Sequence, residues 1–443
     1  MISAAVRRVR QHLAEPLFRT AWSLIASTLL TALLGLGFWT LAARIYPVNI
    51  VGRDSALIAS MTAISLFCQL NLNNVIVRFL PQVHHRIGLR VLNAYGASVV
   101  LSLLVGFAFV LLAPSVDGKF AFLGSEALTA LVFVIAIAVW SIFTLEDAVL
   151  TSLGFATWLP IENGLFSAAK LVLLPLAFLF AKDHGVFIAW VMPLVIVVPV
   201  INFLIARRVV PYAAQSQRHA PGVVRVFGLR PLIIFLTQDF LGSSAGQIAI
   251  LWIPLLVLAR LGSAASAYFY IPFTLVTTFD LLSLALAVSL TTQAARNPQQ
   301  VHELTHAVIR RFFMIGLPII ILIIVAAPLV LLPFGPGYVR NSTTVLRLLA
   351  GASCFRSIIY LYSATARLQG RGMRIVVPQV TIAIMLISLV ILLSARHGLD
   401  GIGVAWLITF ATVAIAMLPS LVKFVRDPQV PVVPDSEMLA DGI

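Results

Sequence analysis

The chain has 443 residues, of which 60% are apolar and only 10% are charged. An average soluble domain has about 25% charged residues, so this composition excludes a water-soluble globular protein of this length. Apolar stretches fill the chain almost end to end and leave no room for a separate soluble catalytic domain. The formal net charge is +14; we attribute it to basic residues in loops between membrane helices, and nucleic-acid binding is not expected.

Twelve apolar segments are each long enough to cross a bilayer as a helix, which takes about 20 residues. In the first half of the chain these segments cover residues 20–43, 55–77, 91–116, 127–145, 161–181 and 186–206. In the second half they cover residues 232–259, 265–290, 312–333, 341–365, 375–395 and 401–422. The pattern predicts an all-α polytopic membrane protein with 12 transmembrane helices.

The basic residues alternate between loops and predict the orientation in the membrane. With the N-terminus in the cytoplasm, twenty lysines and arginines lie in inner segments and seven lie in outer ones. Short loops that are rich in these residues stay in the cytoplasm. Both termini are therefore predicted to be cytoplasmic.

The segment 207–230 carries five arginines and divides the predicted helices into six before it and six after it. Because six is even, both halves enter the membrane in the same orientation, and any symmetry between them is a pseudo-twofold along the membrane normal. The predicted domains are an N-terminal six-helix bundle at 1–206, a basic cytoplasmic linker at 207–230, a C-terminal six-helix bundle at 231–426 and a disordered cytoplasmic tail at 427–443.

Charged residues inside apolar helices are the main candidates for function, because each costs roughly 2.5–3.5 kcal/mol at mid-bilayer and is unlikely to face lipid. Lys170 and Arg356 are predicted to bind an anionic substrate in a wet central cavity, and Asp280 and Asp239 to bind a coupling ion. The alternative is a set of structural ion pairs, such as Lys170 with Asp280, that hold the halves together.

Polar residues at helix ends extend the candidate list. Asn71, Asn74 and Arg78 recur at i, i+3 and i+7, so one face of helix 2 is expected to line the cavity; Arg78 alternatively extends to the lipid headgroups. Glu146 and Asp147 at the inner end of helix 4 and Glu162 at the start of helix 5 are candidate gate residues, and Glu146 is also a candidate for ion coupling. Exposed acids at the membrane interface are an equal alternative.

Three stretches resemble a known family: "FWTLAARIYPVNIVGRDSALIAS" with "QLNLNNVIVRFLPQ", then "FGPGYVRNSTTVLRLLAGAS", then "LYSATARLQGR". They are similar to polysaccharide-biosynthesis (Wzx-type) flippases of the multidrug/oligosaccharidyl-lipid/polysaccharide (MOP) exporter superfamily. The resemblance implies a MATE-like fold of two six-helix bundles around a cationic lumen, in the bacterial plasma membrane. The matching positions are Arg44, Gly52, Arg78, Gly337, Tyr338, Arg347 and Arg367.

The resulting prediction is a flippase, not an enzyme, which translocates a polyprenyl-diphosphate-linked oligosaccharide by ion-coupled alternating access. Its expected partners are that lipid-linked sugar, membrane lipids, a proton or sodium ion, and polysaccharide-assembly enzymes; no cofactor and no metal site are expected. Arg44 and Arg347 join the predicted substrate-binding residues. The alternatives are a cation-coupled multidrug exporter and an integral-membrane glycosyltransferase or polymerase, although the longest outer loop has only about a dozen residues.

Overall fold

A computed structural model describes residues 16–82, 86–116, 127–218, 240, 244–296, 298–369 and 373–427. Within these ranges the chain consists of helices and short turns, without a strand. The predicted all-α fold is confirmed. Asp239 and the predicted tail from 428 onward lie outside the described residues.

The helices of the first half follow the predicted apolar segments. They are α1 (Pro16–Ile45), α2 (Val48–Cys68), α3 (Leu72–Phe79), α4 (Ile87–Val116), α5 (Ala127–Ser152), α6 (Leu159–Phe180) and α7 (Gly185–Leu204). A π turn at Ile205–Val209 joins α7 to α8 (Val210–Arg218). The predicted linker at 207–230 therefore begins as a helical extension of α7, and its residues from 219 lie outside the described part of the chain.

The second half is built in the same way from long apolar helices. They are α9 (Ala245–Leu261), α10 (Ser263–Arg296), α11 (Val301–Arg311), α12 (Leu317–Val325), α13 (Ala327–Leu331), α14 (Pro336–Leu368) and α15 (Met373–Arg426). A π turn at Phe312–Gly316 joins α11 to α12. Gly398 interrupts α15 with φ 55° and ψ −131°, and the predicted segments 375–395 and 401–422 lie on either side of it.

Nine helices in the described residues are long and apolar enough to cross a membrane, and Leu30–Ile45 and Ala245–Leu261 are shorter apolar helices. Many large apolar side chains on these helices are exposed, for example Phe180 at 88% and Leu33 at 68%. Such surfaces are stable against lipid but not against water. The chain is a multi-pass membrane protein, and the count of twelve spans stays a prediction.

The predicted second helix is not continuous, which corrects the expected polar stripe. α2 ends at Cys68, and the chain turns through Leu70 (φ 46°) and Asn71 (φ 61°) before α3 begins. The left-handed backbone suits asparagine better than most residues. Asn71 is buried in the turn whereas Asn74 is exposed on α3, so the two do not share one face of a single helix. The side chain of Arg78 lies outside the described part.

The chain divides into two compact units, which we describe separately. Unit 1 contains residues 1–237 together with 262–267, and unit 2 contains residues 238–261 together with 268–443. The buried core of unit 1 includes Phe38, Phe133 and Phe187, and that of unit 2 includes Phe269 and Trp406. The predicted boundaries at 206, 230 and 426, and the pseudo-twofold, stay predictions.

Gly52 permits a close backbone contact within unit 1. A Cβ atom at this position would overlap the carbonyl oxygen of Ser263 and lie 2.8 Å from the backbone nitrogen of Ala267. Only glycine lets α2 approach the first turn of α10 this closely. This gives a physical reason for a glycine at a position that matches the family pattern.

Candidate functional site

Lys170 lies in the interior of unit 1, on the face of α6 that packs against α1 and α7. Its side chain is only 4% exposed. The ammonium nitrogen is 3.6 Å from the ring centroid of Trp190, 4.9 Å from that of Phe166 and 5.5 Å from that of Phe38. Phe166 and Lys170 are four residues apart, so they share one face of α6. We call these three rings the aromatic cage.

The aromatic cage stabilises the charge of Lys170 without neutralising it. A desolvated cation over aromatic faces gains about 2 kcal/mol from the ring quadrupoles. No carboxylate of the described residues lies within 4.0 Å of the ammonium group, and none of their polar atoms is hydrogen-bonded to it. The three N–H donors of the amine are therefore still able to bind an anion.

A cluster of buried acids forms a second polar centre in unit 1. Glu146 and Glu162, on α5 and α6, are 0% and 1% exposed, and their carboxyl groups lie close enough to interact electrostatically. Asn202 donates a hydrogen bond to Glu146, and Asn163 donates one of 3.2 Å to Asp147. Two neighbouring carboxylates in a buried site repel each other, and a proton on one of them removes that repulsion.

Tyr95 on α4 completes this acid cluster. Its hydroxyl group is buried, has no hydrogen-bond partner among the described residues, and lies close enough to interact electrostatically with Glu146, Asp147 and Glu162. None of these acids forms an ion pair with a lysine or arginine in the part of the chain that the structure describes. The expectation that Glu146 and Glu162 are exposed interfacial acids is wrong, since both are fully enclosed.

Arg356 and Asp280 form an ion pair in unit 2. The guanidinium group donates to Asp280 Oδ2 through Nη1 and to the Tyr360 hydroxyl, at 3.0 Å, through Nη2. Both charged side chains are buried, and Trp406 and Phe410 lie beside the guanidinium group with ring centroids at 5.9 and 5.1 Å. Asp280 is therefore paired with Arg356 and not with Lys170.

This pairing corrects the picture of two independent charges. Sequence reasoning assigned Arg356 to the substrate and Asp280 to the coupling ion, but each charge is compensated by the other in this structure. A polar cavity of about 20 Å³ lies beside Arg356, lined also by Gln247 and Gln379; it is large enough for one water molecule. A ligand that binds either charge competes with this pairing.

Two further predicted residues lie on the exposed surface of their helices. Arg44 is exposed at the end of α1, and Arg347 is exposed on α14, where Nε donates to the carbonyl of Ile324 at 3.1 Å. Their roles in substrate binding stay predictions.

Asp54 has a structural role at the other end of unit 1. Its buried carboxylate accepts hydrogen bonds from the backbone N–H groups of Val186 at 3.1 Å and Phe187 at 3.0 Å. These N–H groups lie in the first turn of α7, where no backbone carbonyl of the helix can accept them. The carboxylate accepts their hydrogen bonds and also interacts favourably with the positive end of the helix dipole. Arg53 Nε lies 3.8 Å and His184 Nδ1 3.4 Å from the same carboxylate.

Sequence reasoning underrated two polar contacts. Glu146 lies at the end of one predicted helix and Glu162 at the start of the next. Two consecutive antiparallel helices bring these positions to the same side of the membrane, so their spacing in the sequence already indicated that the two acids lie close together. Gln69 was missed: its amide donates to Thr144 Oγ1 at 2.6 Å and accepts from Asn73 at 3.0 Å. It ties the break between α2 and α3 to α5.

No protein-family model and no curated protein sequence matches the chain. Solved structures do match it along most of its length. One is an inward-facing multidrug resistance MATE family transporter of the MOP superfamily, with a TM-score of 0.65 and 17% identity, covering 89% of this chain and 94% of that one. An outward-facing structure of such a transporter matches with a TM-score of 0.61 and 16% identity, covering 93% and 96%. The chain has the MATE transporter fold.

A third structure of the MATE fold comes from Pyrococcus furiosus. It is a MOP superfamily transporter described as having a binding pocket of reverse polarity that suggests a different function. Its TM-score is 0.57 at 16% identity, and the match covers 93% of this chain and 95% of that one. The predicted MOP-type fold is confirmed, the proteins that share it are transporters rather than enzymes, and the Wzx-type subfamily stays a prediction.

Proposed function

We propose that this protein is a flippase that moves a polyprenyl-diphosphate-linked oligosaccharide across the bacterial plasma membrane for cell-surface polysaccharide assembly. In this proposal the diphosphate binds to a cation inside the protein while the polyprenyl tail stays in lipid. Alternating access is supported by the fold, since MATE transporters have been solved in inward-facing and outward-facing conformations. The reaction breaks no covalent bond.

Lys170 is the observation that carries the proposal. An ammonium group that has no carboxylate partner among the described residues and is held among the rings of Trp190, Phe166 and Phe38 attracts an anion and repels a cation. In a medium of low dielectric constant both effects are much larger than in water. A diphosphate has the charge and the acceptor oxygens that the three amine donors require.

The acid cluster is the best candidate for ion coupling. Glu146 and Glu162 are both buried and lie close enough to interact electrostatically, and ionisation of both would place two like charges near each other in a buried site. We infer that the coupling ion is a proton and that its release drives these helices apart. Asp280 is a weaker candidate for binding the coupling ion, because Arg356 compensates its charge.

A cation-coupled multidrug exporter is the second candidate function. It is favoured by the neighbouring acids Glu146 and Glu162, which are buried, and Asp147, which is half-buried. These acids would attract a cationic drug, and some of the MATE transporters that share the fold are described as multidrug resistance proteins. The two candidates differ in the sign of the substrate charge. A cationic drug would be repelled by Lys170, whereas an anionic lipid-linked sugar would be held by it.

The test is transport in reconstituted vesicles. Full-length protein is placed in liposomes with a fluorescent polyprenyl-diphosphate saccharide, and translocation is followed by protection of the fluorophore from an impermeant quencher. Lys170→Met should lower the rate at least tenfold, while Lys182→Met, a matched change of an exposed lysine just after the same helix, should leave it unchanged.

Wild-type translocation by Lys170→Met would overturn the role of Lys170. Failure of the wild-type protein to move the lipid-linked saccharide, together with uptake of a fluorescent cationic drug that responds to a pH gradient, would favour the exporter.

A further inference from the structure

Unit 2 contains an apolar cavity of about 440 Å³ that the proposed transport mechanism does not use. Side chains from α10, α11, α12, α14, α15 and the π turn between α11 and α12 form its walls. Representative wall residues are Leu286, Val308, Phe312, Leu361 and Leu421. A volume in this range is typical of small-molecule sites.

The few polar groups in the wall are already satisfied by one another. The hydroxyl groups of Ser283 and Ser357 lie 2.8 Å apart, and that of Ser357 also contacts the carbonyl of Ser353 at 2.8 Å. The hydroxyl donors of these two serines are therefore already engaged within the described part of the wall. An apolar cavity of this kind binds hydrocarbon in preference to water, since water needs polar partners.

One end of the cavity is basic. Arg426 is part of the lining, and the lining residue Ile309 is followed directly by Arg310 and Arg311. All three arginines are exposed, and none forms an ion pair with another described residue. By the distribution of basic residues, this end is predicted to face the cytoplasmic headgroups, where anionic lipids are attracted to such clusters.

We propose that this cavity binds one acyl chain of an anionic phospholipid, with the lipid phosphate held by Arg426. The apolar wall complements the acyl chain of such a lipid, and the adjacent guanidinium groups complement its phosphate. The π turn at Phe312–Gly316 supports the assignment, because π bulges occur often at functional sites, and here it places Phe312 and Phe313 in the wall. The inference does not depend on the transported substrate.

The experiment uses the full-length protein in nanodiscs and a phosphatidylglycerol with a photoreactive diazirine in the acyl chain. Labelled peptides are mapped by mass spectrometry. Adducts are expected on 309–313 and 354–361 at least fivefold above those on 408–415, which carries the lipid-exposed Ile408 and Ile415. Ala287→Phe should fill the cavity and remove the excess labelling, whereas Val288→Phe, on the exposed neighbouring position of α10, should preserve it.

The headgroup is tested with two further variants and a neutral lipid. Arg426→Gln should lower labelling by phosphatidylglycerol at least threefold but leave labelling by phosphatidylcholine of the same chain unchanged. Arg396→Gln, an exposed arginine elsewhere on α15, is the control. Equal labelling of cavity and lipid-facing peptides overturns the site. Displacement of the label by equimolar polyprenyl phosphate but not by phosphatidylglycerol assigns the cavity to another lipid and overturns the proposal.

Native Cys354 gives an independent measurement that needs no substitution in the cavity wall. This thiol lines the cavity, whereas Cys68, the other cysteine, is buried in α2. Addition of phosphatidylglycerol to the detergent-solubilised protein should slow alkylation of Cys354 by N-ethylmaleimide at least threefold and leave Cys68 unaffected. An unchanged rate at Cys354 contradicts the proposal even if Ala287→Phe does not fold.

Discussion

The ammonium nitrogen of Lys170 lies 3.6 Å from the centroid of the Trp190 ring, and aromatic faces take the place that a carboxylate occupies in most buried ion pairs. The two residues come from neighbouring helices, α6 and α7, which pack against each other. A cation held in this way keeps its attraction for an anionic ligand.

Trp190→Leu should weaken both the cage and transport. Loss of the cation–π contact costs about 1–2 kcal/mol, which we expect to appear as a lower melting temperature and at least a fivefold lower translocation rate. Trp190→Phe keeps a ring face and should retain most of the activity. The measurements are a thermal melt in detergent and the vesicle assay. Equal behaviour of the Leu and Phe variants would show that ring electrostatics are unimportant here.

Glu162→Gln should remove the response to protons. The amide carries no charge at any pH, so the repulsion between positions 146 and 162 is removed and no longer depends on protonation. We expect an imposed pH gradient to accelerate wild-type transport severalfold and the variant hardly at all. Glu303→Gln, which changes an exposed acid on α11, is the control. A normal gradient response in Glu162→Gln would exclude this pair from coupling, while leaving flippase activity itself unaffected.

Arg356→Met should be strongly destabilising by itself, because it leaves the carboxylate of Asp280 buried and unpaired. Breaking a buried ion pair from one side costs about 3–5 kcal/mol. Asp280→Asn combined with Arg356→Met should recover most of that loss. Thermal melts of Arg356→Met, Asp280→Asn and the double variant complete a double-mutant cycle. If the losses of stability in the two single variants simply add up in the double variant, the two residues do not interact directly.

The same variants separate structure from transport. If the stable double variant also translocates the lipid-linked saccharide at the wild-type rate, Arg356 and Asp280 serve only to hold α14 to α10. A stable but inactive double variant would support the predicted roles of these residues in binding substrate and ion.

Gly52→Ala should disrupt the approach of α2 to the first turn of α10. The new methyl group would overlap the carbonyl of Ser263, and overpacking of this kind costs about 1–3 kcal/mol or more. Gly96→Ala is the matched control, since nothing lies within 4 Å of a Cβ atom there. The check is the yield of folded protein and its melting temperature. Equal stability of the two variants would mean that α2 moves away at little cost.

Much of the fold followed from local sequence. The apolar segments that predicted the spans correspond to helices such as α4, α5 and α6, because exclusion from water acts on each stretch of about 20 residues separately. The break at Leu70 and Asn71 was not predicted. It depends on contacts that Gln69 makes with Thr144, 75 residues away, which no helical pattern encodes.

The candidate site was predictable only in part. The sequence by itself determined that this is a helical membrane protein and that Lys170, Asp280 and Arg356 lie within its helices, since burying charge in an apolar segment is costly wherever it occurs. Only the tertiary structure decided their partners: Arg356 neutralises Asp280, Glu162 joins Glu146, and Lys170 meets aromatic rings. Hydrogen bonds and ion pairs require approach within a few ångströms, and that depends on how separate helices pack.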